Sequence, residues 1–427
     1  MTNEEQYRKK WTTAEEAVRL IEEGDDIIVP LIAGEPPALL AALEQREDLK
    51  RNRLFQMLTS RPAIRKKQEE LKVISMFLSG GDRQAFREGA VDLLPNHFSD
   101  VPELLKETTD QRVIMATVSP MDENGFFSLG TNCDYTASLA KEAKTILLEV
   151  NEYMPRTYGM NQIHLSEVTA LIEQHQPLIE APVPVITEKD ETIGRYVASL
   201  IHDGDSLQIG FGAIPNAVMN SLKNHQNLSI VTEMIPDQLV ELYQSGAVTN
   251  SSRIDYPGKT TATFAYGTKK LYDFLHENKT IYMLPVSETN DVRRISGIRN
   301  MVTINATIEV DFLGQCNSEK AGDVYWSSSG GQADFGMSAR MSQGGRGIIC
   351  LHSTAKNDTI SKIVPVLAAG TPVTTSKNDV DYIVTEYGIA QLRGKTVRER
   401  VQALIQVAHP KFQEELTDQA RNRGYLM

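Results

Sequence analysis

The chain reads as an α/β protein built from two tandem, related open-sheet domains, one over residues 1–185 and one over residues 186–427. Three observations predict this. Short apolar, β-branched runs alternate with helical periodicity from end to end, as in mainly parallel sheets covered by helices. Leu20-Ile21-Glu22-Glu23-Gly24-Asp25 is echoed by Leu200-Ile201-His202-Asp203-Gly204-Asp205, an offset of 180 residues. Between the copies, residues 175–186 are proline-spaced and poor in helix formers, which suits a linker.

The repeat continues past its first six residues. From Gly24 the chain runs GDDIIVPLIAGEPPALLAAL, and from Gly204 it runs GDSLQIGFGAIPNAVMNSL. Both halves predict helix, turn, strand, glycine-proline loop, helix. Two βα units share that grammar by chance, but the fixed offset together with the loop–helix match argues for duplication.

In the first half, strands are predicted at 54–58, 73–78, 113–118 and 145–150. A turn at 122–125 leads into a short strand at 126–130, and a helix covers 135–143. The second half opens with a helix over 191–202 and a strand over 207–209. The tight loop Gly210-Phe211-Gly212-Ala213-Ile214-Pro215 follows, then a helix over 216–222 with Pro215 and Asn216 at its entrance. A strand at 228–231 runs into Thr232-Glu233-Met234. Helices are predicted at 236–245 and 269–276, strands at 261–266, 282–286, 348–351 and 382–386, an apolar run at 303–313, and a glycine-polar loop at 327–334. Thr396 and Glu399 form a capping box opening a helix with Val397, Val401, Leu404, Ile405 and Ala408 on one face.

Composition narrows the function. A net charge of −12 over 427 residues argues against a general nucleic-acid or membrane-surface binder, which needs a basic surplus. The polar start is not a signal peptide, and no apolar run approaches the ~20 residues of a membrane span. The three cysteines, Cys133, Cys316 and Cys350, are widely spaced and form no CxxC, so neither a disulfide framework nor a zinc site is expected. A reducing, cytoplasmic compartment fits. The eight histidines are scattered without HExxH, and no metal site is predicted.

One stretch has the parts of a site. Glycines at 210 and 212 let backbone N–H groups approach an anion, and the following helix N-terminus favours negative charge. Glu233 ends the next strand, where open α/β sheets place ligands. A Gly-x-Gly pair alone is more often an ordinary turn. A dinucleotide loop of an oxidoreductase is disfavoured because Pro215 stands where the third glycine is required.

Many blocks in order resemble the acetyl-CoA hydrolase/transferase family, within it the 4-hydroxybutyrate CoA-transferase-like branch. They are VSPMDENGFFSLG at 118–130, EVN at 149–151 with MPRT at 154–157, GFGAIP at 210–215, TEM at 232–234, FAYG at 264–267, EVD at 309–311 with GQ at 314–315, GGQADF at 330–335 and TEYGIA at 385–390. The resemblance implies tandem domains of the CoA-transferase-like fold, a homodimer, and coenzyme A thioesters and small carboxylic acids as substrates. It implies a ping-pong reaction through an acyl-glutamyl anhydride and a glutamyl-CoA thioester, with Glu233 at the nucleophile's position. It also implies CoA contacts from Gly210, Phe211, Gly212, Ala213 and Ile214, a second CoA-contacting loop at Gly330 and Gly331, and a role for Gln332 in placing the acyl oxygen.

The chemistry suits those residues. A glutamate with an ordinary pKa of about 4.3 is ionised at neutral pH and needs no base. Each addition step builds an oxyanion, which main-chain donors of the 210–214 loop can stabilise. Glu309, Asp311 and Glu386 are read as structural hydrogen-bonding groups, Asn290-Asp291 as a turn, and Arg293, Arg294 and Arg299 as a solvated basic stretch. Ile235-Pro236-Asp237-Gln238 and Gly212-Ala213 depart from the family pattern, so the acyl pocket is expected to differ. An acyl-CoA hydrolase, with water as acceptor, and a non-catalytic CoA-binding protein are the alternatives.

Overall fold

The computed structural model describes residues 2–427. The chain forms two compact units. The first holds residues up to Pro182 together with Ile235–Asp237 and Thr261–Thr289; the second holds Val183–Met234, Gln238–Thr260 and Asn290–Met427.

The first unit is built on a seven-stranded sheet. Its strands are β1 (Asp26–Ile28), β2 (Asn52–Gln56), β3 (Leu71–Ser75), β4 (Val91–Leu93), β5 (Arg112–Val118), β6 (Thr145–Val150) and β7 (Ala170–Glu173). They lie in the order β7-β6-β5-β1-β2-β3-β4, and every pair is parallel. The chain steps outward from β1 through β4, then returns to lay β5 to β7 on the other side of β1. The direction of winding therefore reverses between β1 and β5. Parallel strands covered on both faces read as continuous apolar runs, and β6 is buried along its whole length.

β6 nevertheless contains Glu149, fully buried. Its Oε2 accepts the backbone N–H groups of Ala38 (2.9 Å) and Leu39 (3.1 Å) at the start of helix α1 (Pro37–Gln45). Burial pushes its carboxyl up to about 7, and these two bonds pull it part of the way back. Within the same unit, Ile281–Met283 pairs in parallel with Tyr158–Gly159. Residues 175–182 have no regular structure but are tied down. Asn151 Nδ2 donates to the Gln176 carbonyl (2.8 Å), Tyr272 Oη to that of Ile179 (2.7 Å), and the Ala181 N–H to that of Gly267 (2.9 Å).

The second unit repeats the plan. β8 (Ser206–Ile209), β9 (Ser229–Ile230), β10 (Met301–Ala306), β11 (Arg346–Cys350), β12 (Tyr382–Thr385) and β13 (Gly388–Gln391) are ordered β9-β8-β10-β11-β12-β13. All pairs are parallel except β12–β13. The winding reverses between β8 and β10, again beside the first strand of the sheet. Two open sheets with the same reversal bear out the predicted fold class.

Helix α2 (Glu188–Ala198), opened by the Thr187/Asp190 capping box, lies against helix α3 (Ala213–Ser221). Gly194 allows this approach, because a Cβ there would meet the Ala217 carbonyl. The sequence placed the start of α3 at residue 216; it begins at Ala213. Gly212, at φ +126°, is its N-cap, and Pro215 falls in the first turn, where a missing N–H costs nothing. Helix α4 (Gln332–Met341) likewise opens inside the stretch read as a loop, with Gly331 as its N-cap. The capping box at Thr396 is present and opens α5 (Val397–Gln406). Val401, Leu404, Ile405 and Ala408 are buried, whereas Val397, in the first turn, is exposed.

Candidate active site

β8 and β9 are parallel neighbours, with Ser206 opposite Ser229 and Leu207 opposite Ile230, an offset of 23. The ladder continues, since the Val231 N–H donates to the Leu207 carbonyl at 2.9 Å. Thr232 Oγ1 then reaches the Ile209 carbonyl at 3.3 Å. Carrying that offset to the strand ends sets Glu233 beside Gly210. The predicted carboxylate and the predicted glycine loop thus leave adjacent strands at their carboxyl ends, next to the reversal where open α/β sheets bind ligands.

Glu233 Oε2 accepts a hydrogen bond from Asn290 Nδ2 at 2.8 Å. A backbone hydrogen bond from Gly331 also reaches this carboxylate. A Cβ on Gly331 would overlap both Glu233 Oε2 and Asn290 Nδ2, so only glycine lets the α4 N-terminus close on the acid. The side chain keeps partial solvent exposure. Its surroundings nonetheless withdraw the carboxylate from water and push its pKa up to about 7, opposed by the Asn290 bond and reinforced by the nearby Asp334 charge. The carboxyl thus departs from the ordinary carboxylate value the sequence suggests, in the direction that favours the protonated form.

In the glycine loop, the Gly210 N–H is committed to the Ile304 carbonyl at 2.9 Å, so it is not a donor for an oxyanion. The donors begin further on. Ala213 and Ile214 are the first residues of α3, whose opening N–H groups have no partner within the helix. Phe211 projects from the loop, 48% exposed. Beneath it, Gln208 and Asn305 exchange two amide hydrogen bonds at 3.1 Å across β8 and β10, fixing the strand ends that carry the loop.

The second predicted loop also reaches the carboxylate. Gly330 adopts φ +56° and turns the chain into α4. Gln332 is nine-tenths buried, and its Nε2 donates to Thr375 Oγ1 at 3.0 Å, which leaves its Oε1 and second N–H. The structure therefore brings Gly331 directly onto Glu233, while Gln332 is held by Thr375.

The sequence missed Asn290 and Asp334. Asn290 was read as part of a turn, and Asp291 does cap a short helix, accepting the Arg293 and Arg294 N–H groups at 2.6 and 3.2 Å. Nothing in a turn signature says where the neighbouring amide points. The competing carboxylates are occupied as expected. Asp311 Oδ1 accepts the N–H groups of Leu313 (3.0 Å) and Gln315 (2.9 Å), Glu309 Oε1 accepts from Asn317 Nδ2 (2.9 Å), and Glu386 takes the Ser353 N–H and hydroxyl at 2.9 and 2.8 Å. Arg294 is not simply solvated; it pairs with Asp255 at 2.7 Å. Among the described residues no group of His, Cys, Asp and Glu is arranged to hold a metal ion. Among the described residues no helix is long and apolar enough to cross a membrane.

The acetyl-CoA hydrolase/transferase N-terminal domain model matches residues 1–193, and the C-terminal domain model matches residues 267–420. The chain is 44% identical over 426 residues to a succinyl-CoA:cyclohexane-1-carboxylate CoA transferase of Geobacter metallireducens, covering 99% of this chain and 98% of that one. It is 41% identical over 425 residues to a 4-hydroxybutyrate coenzyme A transferase of Clostridium kluyveri, covering 98% and 99%. The crystal structure of a 4-hydroxybutyrate CoA-transferase from Porphyromonas gingivalis superposes with a TM-score of 0.82 at 34% identity, covering 98% of this chain and 99% of that one.

Proposed function

We infer how the site works from one premise: the chain belongs to the acetyl-CoA hydrolase/transferase family and is a CoA-transferase. The reading is that Glu233 carries the CoA covalently. The observation that supports it is a carboxylate beside a glycine loop, held by the Asn290 amide and the Gly331 main chain at the carboxyl ends of parallel strands. The ionised Glu233 oxygen attacks the thioester carbonyl of a short-chain acyl-CoA. The C–S bond breaks, leaving an acyl-glutamyl anhydride and the CoA thiolate. The thiolate attacks the Glu233 carbonyl carbon, the free acid departs, and a glutamyl-CoA thioester remains. An incoming carboxylate reverses both steps and leaves as its own CoA ester. Every nucleophile is an anion and every leaving group a stable one, so no proton need move.

The weak nucleophilicity of a carboxylate is offset by positioning, for which effective molarities reach ~10⁵ M or more. Oxyanions of the addition steps fit the opening N–H groups of α3 and α4, where a lost donor typically costs ~10²-fold or more. Gly210 to Ile214, with Gly330, Gly331 and Gln332, are the residues we assign to CoA contact. Acetate, butyrate and 4-hydroxybutyrate are the type of acid proposed. A cytoplasmic location suits three free, buried cysteines. A homodimer is what the family resemblance implies, and light scattering tests it.

The experiment for Glu233 is acyl-CoA incubation, borohydride reduction and peptide mass spectrometry. Modification confined to the peptide containing Glu233, together with a Glu233→Ala protein that binds CoA and turns nothing over, is expected. Modification elsewhere would overturn the assignment. CoA release that ignores added acetate would instead favour the hydrolase.

A further inference from the structure

One amine in the second unit stands outside its ion pairs. Lys362 precedes the short strand Ile363–Val364, in which Ile363 pairs with Val310 and Val364 with Asp311. The backbone of Lys362 is held from both sides: its N–H donates to the Ser353 carbonyl at 2.9 Å, and its carbonyl accepts the Val310 N–H at 3.0 Å. The side chain is half-buried, and among the described residues its Nζ has no hydrogen bond or ion pair.

Two carboxylates face this amine, and both are already engaged. Glu386 accepts the Ser353 N–H and hydroxyl and lies 3.5 Å from Lys189 Nζ, which in turn pairs with Asp358 at 2.7 Å. Glu309 accepts from Asn317 Nδ2. Burial draws the Lys362 ammonium below the ordinary lysine value, against the pull of both acids. Lys10 is drawn down by burial too, but it spends its donors on the Leu165 and Val168 carbonyls at 2.7 and 2.6 Å. Place matters as well. Ser353 follows β11 and Glu386 follows β12, and both strands run parallel to β9. The amine therefore sits at the sheet edge from which Glu233 also leaves, with β12 four strand spacings, about 19 Å, from β9. An unpaired, partly desolvated lysine is a nucleophile toward carbonyl carbon.

We propose that Lys362 is a site of self-acylation by the acyl-CoA that the protein handles. The amine nitrogen attacks the thioester carbonyl carbon and the C–S bond breaks. CoA leaves as the thiolate and takes up the proton that the nitrogen sheds, and an acyl-lysine amide remains. The choice of acyl donor rests on the CoA-transferase reading, but the step does not pass through Glu233. It replaces an ammonium facing two carboxylates by a neutral amide.

The test is incubation of the full-length wild type at pH 7.5 with excess acetyl-CoA or butyryl-CoA and no acceptor acid, followed over time by peptide mass spectrometry. Lys356, exposed and close by in the chain, is the internal control. Lys362 should be acylated faster than Lys356, by about tenfold, and the same preference should persist in Glu233→Ala. If Glu233→Ala fails to fold, as judged by thermal unfolding, Glu233→Gln takes its place. Acylation of Lys362 no faster than that of Lys356 overturns the proposal. So does a Lys362 signal that disappears without Glu233, which would make the amide a by-product of the anhydride. A wild type that forms no adduct at Glu233 defeats the mechanism there and leaves the comparison of the two lysines standing on its own.

Discussion

Asn290 Nδ2 lies 2.8 Å from Glu233 Oε2 and is the side-chain donor that opposes the burial of that acid. Replacing Asn290 by Ala removes it. Hydrogen bonds to charged groups are worth about 1.5–3 kcal/mol, so turnover at pH 7 should fall about 10- to 100-fold. The acid limb of the pH–rate profile should also move upward, because the ionised form loses its support. A rate loss with an unmoved limb would count against this role.

The wild-type profile is itself a prediction. On the proposed mechanism the nucleophile is ionised Glu233, whose carboxyl burial pushes up to about 7. Measured as kcat/KM for acyl-CoA, activity should fall on the acid side with a midpoint near 7 rather than in the ordinary carboxylate range. Single-turnover formation of the glutamyl thioester across pH 5–9 isolates this limb from product release.

Two glycines should fail for different reasons. Gly331→Ala puts a methyl where Glu233 and Asn290 meet, so the carboxylate must move; adduct formation should drop by about two orders of magnitude, the scale of a lost oxyanion donor. Gly212→Ala makes only an ordinary contact, with Pro215 Cδ at 4.0 Å, but φ +126° at the α3 N-cap is closed to alanine. It should cost about 1–3 kcal/mol in urea unfolding, or relax the loop and raise KM for acyl-CoA.

Glu149 makes stability pH-dependent. Its folded pKa of about 7 lies above the ordinary carboxylate value, so the folded state holds the proton longer than the unfolded chain does. The stability it contributes is full below the ordinary carboxylate range and is lost as pH rises through 7. Glu149→Gln has no such titration. The melting temperature of the wild type relative to that variant should therefore decline between pH 4.5 and 7.5. A difference that stays flat would mean the carboxylate is ionised throughout.

Much of the architecture was legible because apolar periodicity and duplication are local signals. The 145–150 strand is observed at its predicted bounds, and the Thr396 capping box is present. Glu233 and the glycine loop were legible as parts, and the β8–β9 register shows why they belong together. Helix starts were misread at 213 and 332 because glycine and serine next to a helix look like loop. The Asn290 contact and the raised pKa of Glu233 arise from side-chain direction and burial, which sequence spacing does not carry.

The pairing of Tyr158–Gly159 with Ile281–Met283 has a bearing on how the polypeptide matures on the ribosome. The first unit cannot complete itself until translation has passed residue 289, by which point β8 and β9 have already emerged. Completion of the first unit thus waits on a stretch made after the second has begun, and a nascent chain halted near the midpoint would expose an unpaired strand edge to chaperones and to aggregation.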